Sequence, residues 1–364
     1  MSHDVTILAR SCAVTMSHFC LEHIQLHAAL LDGTSTTLML SPERSCWDLL
    51  RALERSLGTI IDRLVVNGVV VSNLIRTLLE QGICNNDTIT CTTKAPYVFG
   101  KLGCCVLKVS QGSLNVLRRT EPSAEDMRSL ECVHSIAMTR AAVAALTTSG
   151  TVITWGDALA GGDSQSVQSQ LSDKVRYVTA TEGAFAALLD SKLVVTWPTS
   201  SNLGGNCAFV ESCMQDVHYV IAARRGFCAI MRSGQVAMWG DDYGAPYGVT
   251  PRSASVTVPP LQIVDVTGVG SGTFVCLLES GRVMCWDAEQ YQEIFESFRL
   301  VEADIHKSFI ANLIANSFAI CATTDCNTKL YVWGHELAGG SSSNGIQELC
   351  FCFRKLYSLS VKFS

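Results

Sequence analysis

The sequence predicts a mainly β protein: a β-propeller of short repeats over residues 101–364, preceded by a small α+β domain over residues 23–94. Three observations predict it. Tryptophan recurs at Trp155, Trp197, Trp239, Trp286 and Trp333, at intervals of 42, 42, 47 and 47 residues. The segments leading into these tryptophans share residues at fixed offsets. Residues 23–94 lack that period and follow a different order of elements.

Composition bounds the function classes. The chain has 364 residues, 48% of them apolar and 16% charged, which describes globular domains and not a disordered tail. Residues 1–100 hold 7 Lys/Arg against 9 Asp/Glu, and the remainder 20 against 24. Neither part has the basic excess that a phosphate backbone rewards, so no nucleic-acid partner is expected. The 17 cysteines are odd in number and none is spaced CxxC. Many lie in apolar runs (Cys228, Cys276, Cys285), where a free thiol acts as a small hydrophobe. A reducing compartment follows, cytoplasmic or nuclear. No apolar run approaches the ~20 residues of a membrane span. Residues 1–22 carry Asp4 in a broken apolar stretch, make a poor signal peptide and read as a loosely attached leader.

Residues 23–94 open with apolar runs at Ile24–Leu31 and Thr36–Leu40 around Asp32-Gly33, a hairpin signal. Ser45 then starts a helix, with Asp48 at capping-box spacing, Trp47, Leu50, Leu53 and Leu57 on one face, and Gly58 as the C-cap. RLVVNGVVV places two β runs around Asn67-Gly68, and a last strand covers Thr88–Thr92. This order resembles the ubiquitin-like β-grasp fold, most specifically at RLVV and ICNNDTITC. The diglycine tail of a conjugated modifier is lacking, since the chain runs on into Lys94-Ala95-Pro96. The resemblance therefore implies a built-in docking module. Its partner face would lie near Leu64 and Val66, the other reading being that both are core residues.

The repeats come next. VAALTTSGTVITW, FAALLDSKLVVTW, FCAIMRSGQVAMW and FVCLLESGRVMCW align with Gly150, Gly234 and Gly281 seven residues on, Lys192 being the exception, and Trp twelve residues on. Val152, Val194, Val236 and Val283 stand nine on. Two apolar runs around a polar Gly turn describe a β-hairpin, and a third short strand precedes it at Val175–Val178 and Val217–Val220. Trp333 ends a fifth unit with three extra residues in its turn. Cys105–Leu117 is a degenerate first unit that keeps Gly112 but has Leu117 in place of Trp. Units of about 40 residues suit propeller blades, and a ring protects sheet edges. The tail Ile346–Ser364 is expected to pair with the first hairpin and close six blades, or to build a seventh itself.

The order of apolar pair, turn Gly, Val and Trp-Gly is similar to the repeats of the regulator of chromosome condensation family. The resemblance covers about 260 residues, with shortened GGD, GGN and GGS sequences after the tryptophans. It implies the fold and does not transfer the founding member's nucleotide-exchange activity. No phosphate-loop, GxSxG or HExxH sequence occurs, the eight histidines are scattered, and Asp157 and Asp241 read as turn residues. No catalytic residue, cofactor or metal is expected. The sequence thus points to a non-enzymatic interaction scaffold that binds protein partners. They would meet the ubiquitin-like module and the loops Ala158–Gln170, Ser200–Asn206 and Tyr243–Pro260. The alternative is a regulator of nucleotide exchange on a small GTPase, or a substrate-recruiting adaptor of a ubiquitin ligase.

Overall fold

The computed structural model describes residues 23–71, 73–74, 76–93, 97–101, 104–108, 114–116, 130, 133–172, 174–200, 202–240, 259, 262–270, 272–287, 292–315, 318–324, 329–335 and 346–348. Gly112, the leader 1–22 and most of Tyr243–Pro260 lie outside these residues.

The N-terminal unit is one sheet carrying one helix. Strands β1 (Ile24–Leu30), β2 (Ser35–Leu40), β3 (Ile61–Val66), β4 (Val69–Val70) and β5 (Thr88–Thr93) take the order β2-β1-β5-β3-β4, with β1 and β5 parallel at the centre. Helix α1 (Cys46–Leu57) starts at the expected box: Ser45 Oγ accepts from Asp48 N, and the Asp48 carboxylate accepts from Ser45 N. Gly58 ends it at φ 64°. Leu49, Leu50 and Leu53 pack on Leu26, Leu64, Val66 and Ile89. Leu64 and Val66 are two residues apart on one strand, so the pleat sends both to the same side. That side is the core, where they are 1% and 7% exposed. The suggested partner face at Leu64 and Val66 is thereby covered by α1, and the outward residues of this strand are Arg63 and Val65.

The rest is mainly β, built of three-stranded antiparallel sheets with few helices. Among the described residues six sheets follow. The first is β6 (Tyr97–Lys101), β7 (Cys104–Lys108) and β8 (Leu114–Val116), starting ahead of the expected boundary at 101. Next come β9 (Val133–Met138), β10 (Ala142–Thr147) and β11 (Val152–Gly156), then β12 (Val175–Ala180), β13 (Phe185–Leu189) and β14 (Val194–Trp197). A short helix, α2 (Ala208–Glu211), precedes β15 (Val217–Ala222), β16 (Gly226–Met231) and β17 (Val236–Gly240). Strands β18 (Ile263–Val269), β19 (Thr273–Leu278) and β20 (Val283–Asp287) form the fifth. After helix α3 (Gln292–Ile305), the last comprises β21 (Ile310–Ala315), β22 (Ala319–Thr324), β23 (Lys329–Gly334) and β24 (Ile346–Glu348). From β9 onward each sheet touches the next through its first strand, as propeller blades do. The described start of the tail, β24, pairs with β23, Ile346 opposite Tyr331, where the first hairpin was the expected partner; residues 349–364 lie outside the described residues. Pairing with the strand just before it needs a far shorter loop to close.

The core lies between neighbouring sheets. Middle strands β10, β13, β16 and β19 are buried along their whole length because a sheet packs on each face, which is why they read as unbroken apolar runs. Phe185, Ala187 and Leu189 face the preceding sheet, while Ala184, Ala186 and Leu188 face the next. Trp155, Trp197, Trp239, Trp286 and Trp333 are all buried. Trp197 stacks on its ladder partner Phe185 at 5.2 Å between ring centres, and Trp239 lies tilted against its partner Phe227 at 5.4 Å. Each is also tied to the loop that follows the previous tryptophan: Trp197 Nε1 donates to Gly161 O and Trp239 Nε1 to Gly204 O, both at 3.0 Å. A Cβ on Gly161 would stand 2.6 Å from the Phe185 ring, so only glycine lets that loop approach. The hairpin turns Gly150, Gly234 and Gly281 have φ of 91, 85 and 73°, and Lys192, the one exception, takes the same left-handed conformation at φ 69°.

Helix α3 was not anticipated. It accounts for part of the longer Trp interval, burying Phe298, Val301 and Ile305 against β20 and β23, with Phe298 5.4 Å from the Trp333 ring. Cys228 and Cys276 are fully buried, and burial pushes each thiol up to about 12, which keeps them protonated and unreactive.

Candidate functional site

A single extra residue recurs at the start of each first strand. Val175 faces Leu189 and Tyr177 faces Leu188, which leaves Arg176 as the unpaired residue of a β-bulge. The same interruption isolates His134, His218, Val264 and Ala311 in the other sheets from β9 onward. A bulge turns its side chain out of the regular pleat. In the first three of these sheets the bulged residue is polar, and in the last two it is apolar.

The N-terminal unit is seated on this end. Glu54 of α1, 1% exposed, accepts from His134 Nδ1 at 2.9 Å and from Ile61 N at 3.1 Å. Arg51, 8% exposed, donates to Thr147 O and to the carbonyl of bulged Arg176, at 3.3 and 3.1 Å. Trp47 meets His134 and Tyr177 edge to face. Farther along, Asn73 donates to Ile263 O, Arg76 pairs with Glu279 at 2.8 Å, and Glu80 lies 4.0 Å from Arg232. These contacts run across four successive sheets. They meet the sheets at the ends where the glycine-turn hairpins lie.

His218 is buried at this end, with Nε2 3.5 Å from Asp216 Oδ1 and neither ring nitrogen hydrogen-bonded among the described residues. Burial, with the Lys192 ammonium second, holds its imidazole well below the usual histidine range. The folded state therefore keeps His218 neutral while the unfolded chain takes a proton near pH 6.5. Stability conferred by neutral His218 is full above that pH and falls as the solution is acidified through and below it. Urea unfolding of wild type and His218→Phe at pH 7.5 and 5.5 is expected to show a larger acid loss in wild type. Equal losses would refute the assignment.

The opposite end is built from tight turns between first and middle strands. Their backbones join in a belt: Arg140 N donates to Glu182 O, Glu182 N to Arg224 O and Arg224 N to Gly270 O, at 2.8, 2.9 and 2.9 Å. The side chains alternate in charge along it. Glu182 receives Arg140 Nη2 at 2.6 Å and Arg224 Nε at 2.7 Å, and the Arg224 guanidinium lies over the Phe318 ring. Partial burial pushes the Glu182 carboxyl up, but the bonds from Arg224 and Arg140 outweigh it and hold it below its usual value. Every described tryptophan-ending strand leaves the array on this side, because Gly156, Gly240 and Gly334 pair with Ala142, Gly226 and Ala319 at the starts of the middle strands. Buried Thr139 and Thr181 fix the departing loops by donating to Ala160 O and Leu203 O. The loops expected to carry partners at Ala158–Gln170 and Ser200–Asn206 thus start beside the belt, and Leu159 in the first turn of the former is 75% exposed. Sequence reasoning missed the belt and the bulges, although His134, Arg176 and His218 share one offset, sixteen residues before Gly150, Lys192 and Gly234.

Among the described residues no group of three His, Cys, Asp or Glu side chains is placed to hold a metal ion, and no helix is long and apolar enough to cross a membrane. No family model matches the chain, and no curated protein does. Solved structures do match. Prp20p from Saccharomyces cerevisiae has 11% identity and a TM-score of 0.45, over 81% of this chain and 85% of that one. The ectodomain of the receptor kinase CR4 from Physcomitrella patens has 14% identity and a TM-score of 0.39, and the match spans 65% of this chain and 61% of that ectodomain. A designed protein based on ubiquitin matches over 20% of this chain and 88% of its own length, with 18% identity and a TM-score of 0.18. The scores are low, and the architecture rests on the chain's own ladders, bulges and loop contacts.

Proposed function

We propose that this chain is a non-enzymatic interaction scaffold whose partner surface is the belt end of the sheet array. One observation carries the reading: the N-terminal unit covers the other end across four sheets, through buried Arg51 and Glu54. The opposite end carries Arg140, whose side chain is 59% exposed, Glu182, Arg224 and the starts of the described loops after the tryptophans. The strand order β2-β1-β5-β3-β4 around a parallel central pair supports reading the N-terminal unit as a ubiquitin-like β-grasp domain. Because its helix face is committed to the array, the unit offers partners its sheet face, at Arg63 and Val65, in place of Leu64 and Val66. The alternative is a regulator of nucleotide exchange on a small GTPase, or a substrate-recruiting adaptor of a ubiquitin ligase.

The test is affinity capture with the whole chain and with Arg140→Glu/Arg224→Glu. A partner set retained by wild type and Arg63→Glu but lost by the double variant is expected. Partners indifferent to the belt substitution would overturn the assignment. Accelerated nucleotide release from any of a panel of small GTPases would replace the pure scaffold by the exchange role.

A further inference from the structure

Between α1 and the tips of the β10–β11 and β13–β14 hairpins runs a groove of about 180 Å³. Its charged lining is unbalanced. Arg44, Arg51, Arg55 and Lys174 face it, against Asp48 and Asp190. Both acids are already engaged: Asp48 accepts from Ser45 N and Oγ at 3.0 and 2.8 Å, and Asp190 accepts from Arg176 Nε at 2.9 Å. The cations are not all so engaged. Lys174 has a partner of its own and Arg51 is used in the domain contact, but among the described residues Arg55 gives only its Nε, to Arg51 O, and Arg44 forms no ion pair. Arg51 at the back of the groove is held down to about 10 by burial, against the opposing pull of the Glu54 carboxylate.

We propose that this groove binds a small phosphate-bearing anion that bridges the N-terminal unit and the sheet array. Guanidinium forks on Arg44 and Arg55 match phosphate oxygens in pairs, and the Lys174 ammonium adds a point charge from the opposite wall. A single carboxylate would satisfy one of these cations, whereas a phosphate group with two charges meets several at once. The volume is below the roughly 300–1,000 Å³ of drug-sized ligand sites, which fits a compact anion and excludes a dinucleotide. The ligand touches both halves of the chain, so binding adds to the forces that hold them together.

Calorimetric titration of the full chain with inorganic pyrophosphate, at ionic strength held constant with sodium chloride, tests this. One saturable site is expected, accompanied by a raised melting temperature, with orthophosphate weaker at the same site. Arg55→Glu/Lys174→Glu is expected to weaken binding at least about tenfold, as loss of charge-assisted contacts does, while Lys307→Glu, an exposed position just after α3 and outside the groove lining, leaves it unchanged. Arg44→Glu is a second arm should the double variant fail to fold. No saturable heat with pyrophosphate, or equal affinity in the groove variants and wild type, would overturn the site.

Discussion

Trp197→Ala is expected to lower the stability of the sheet array by about 4 kcal/mol, as deletion of a fully buried aromatic does. Three losses combine. The indole is 0% exposed and wedged between its own sheet and β10, so its removal opens a cavity along a whole inter-sheet seam. Its stacking on Phe185 disappears. Gly161 O loses its donor, and with it the bond that holds the Leu159–Gly162 loop against the next sheet. Trp197→Phe separates these contributions, since it keeps most of the apolar contact and removes only the N–H, and it is expected to cost about 1–2 kcal/mol. Urea denaturation followed by circular dichroism reads both. Equal losses for Ala and Phe would show that the bond to Gly161, and not the filling of the seam, holds the two sheets.

The same tryptophan explains why so much of the array was legible. A tryptophan occupies one ladder position in each of the five sheets from β9 onward, opposite the first or second residue of the middle strand, so its period survives insertions elsewhere. The hairpin turns were legible because a left-handed residue is chemically distinctive, and Lys192 shows that the conformation persists where glycine is absent. Helix α3 was hidden inside a lengthened interval, although Phe298, Val301 and Ile305 have helical spacing. The bulges were hidden for another reason. One unpaired residue shifts a strand's register without changing its composition, so His134, Arg176 and His218 read as ordinary strand residues. Arg51 and Glu54 were invisible in the same way. At i, i+3 on a helix they have the pattern of a solvated ion pair, and only the packing of two domains reveals that both are buried.

That buried pair carries the second large expectation. Glu54→Ala should destabilise the folded chain by about 3–5 kcal/mol, the cost of breaking one partner out of a buried charge network. The carboxylate is the shared acceptor for His134 Nδ1 and Ile61 N, and it lies 3.6 Å from Arg51. Without it Arg51 stays buried against two carbonyls with no counter-charge, and His134 loses its acceptor on α1. The loss falls on two structures at once: the helix-to-β3 turn inside the N-terminal unit, through Ile61, and its seat on the array, through His134. A double-mutant cycle with His134→Ala separates them, and a coupling energy of about 1–3 kcal/mol is expected if the inter-domain bond dominates. Limited proteolysis supplies the independent readout. Tryptic cleavage after Lys94, between β5 and β6, should accelerate in Glu54→Ala and in His134→Ala, because either change loosens the N-terminal unit from the sheets. A coupling near zero with unchanged cleavage would assign Glu54 to the N-terminal unit alone. The covered end of the array would then have to be held by Arg51 and by the Arg76–Glu279 pair.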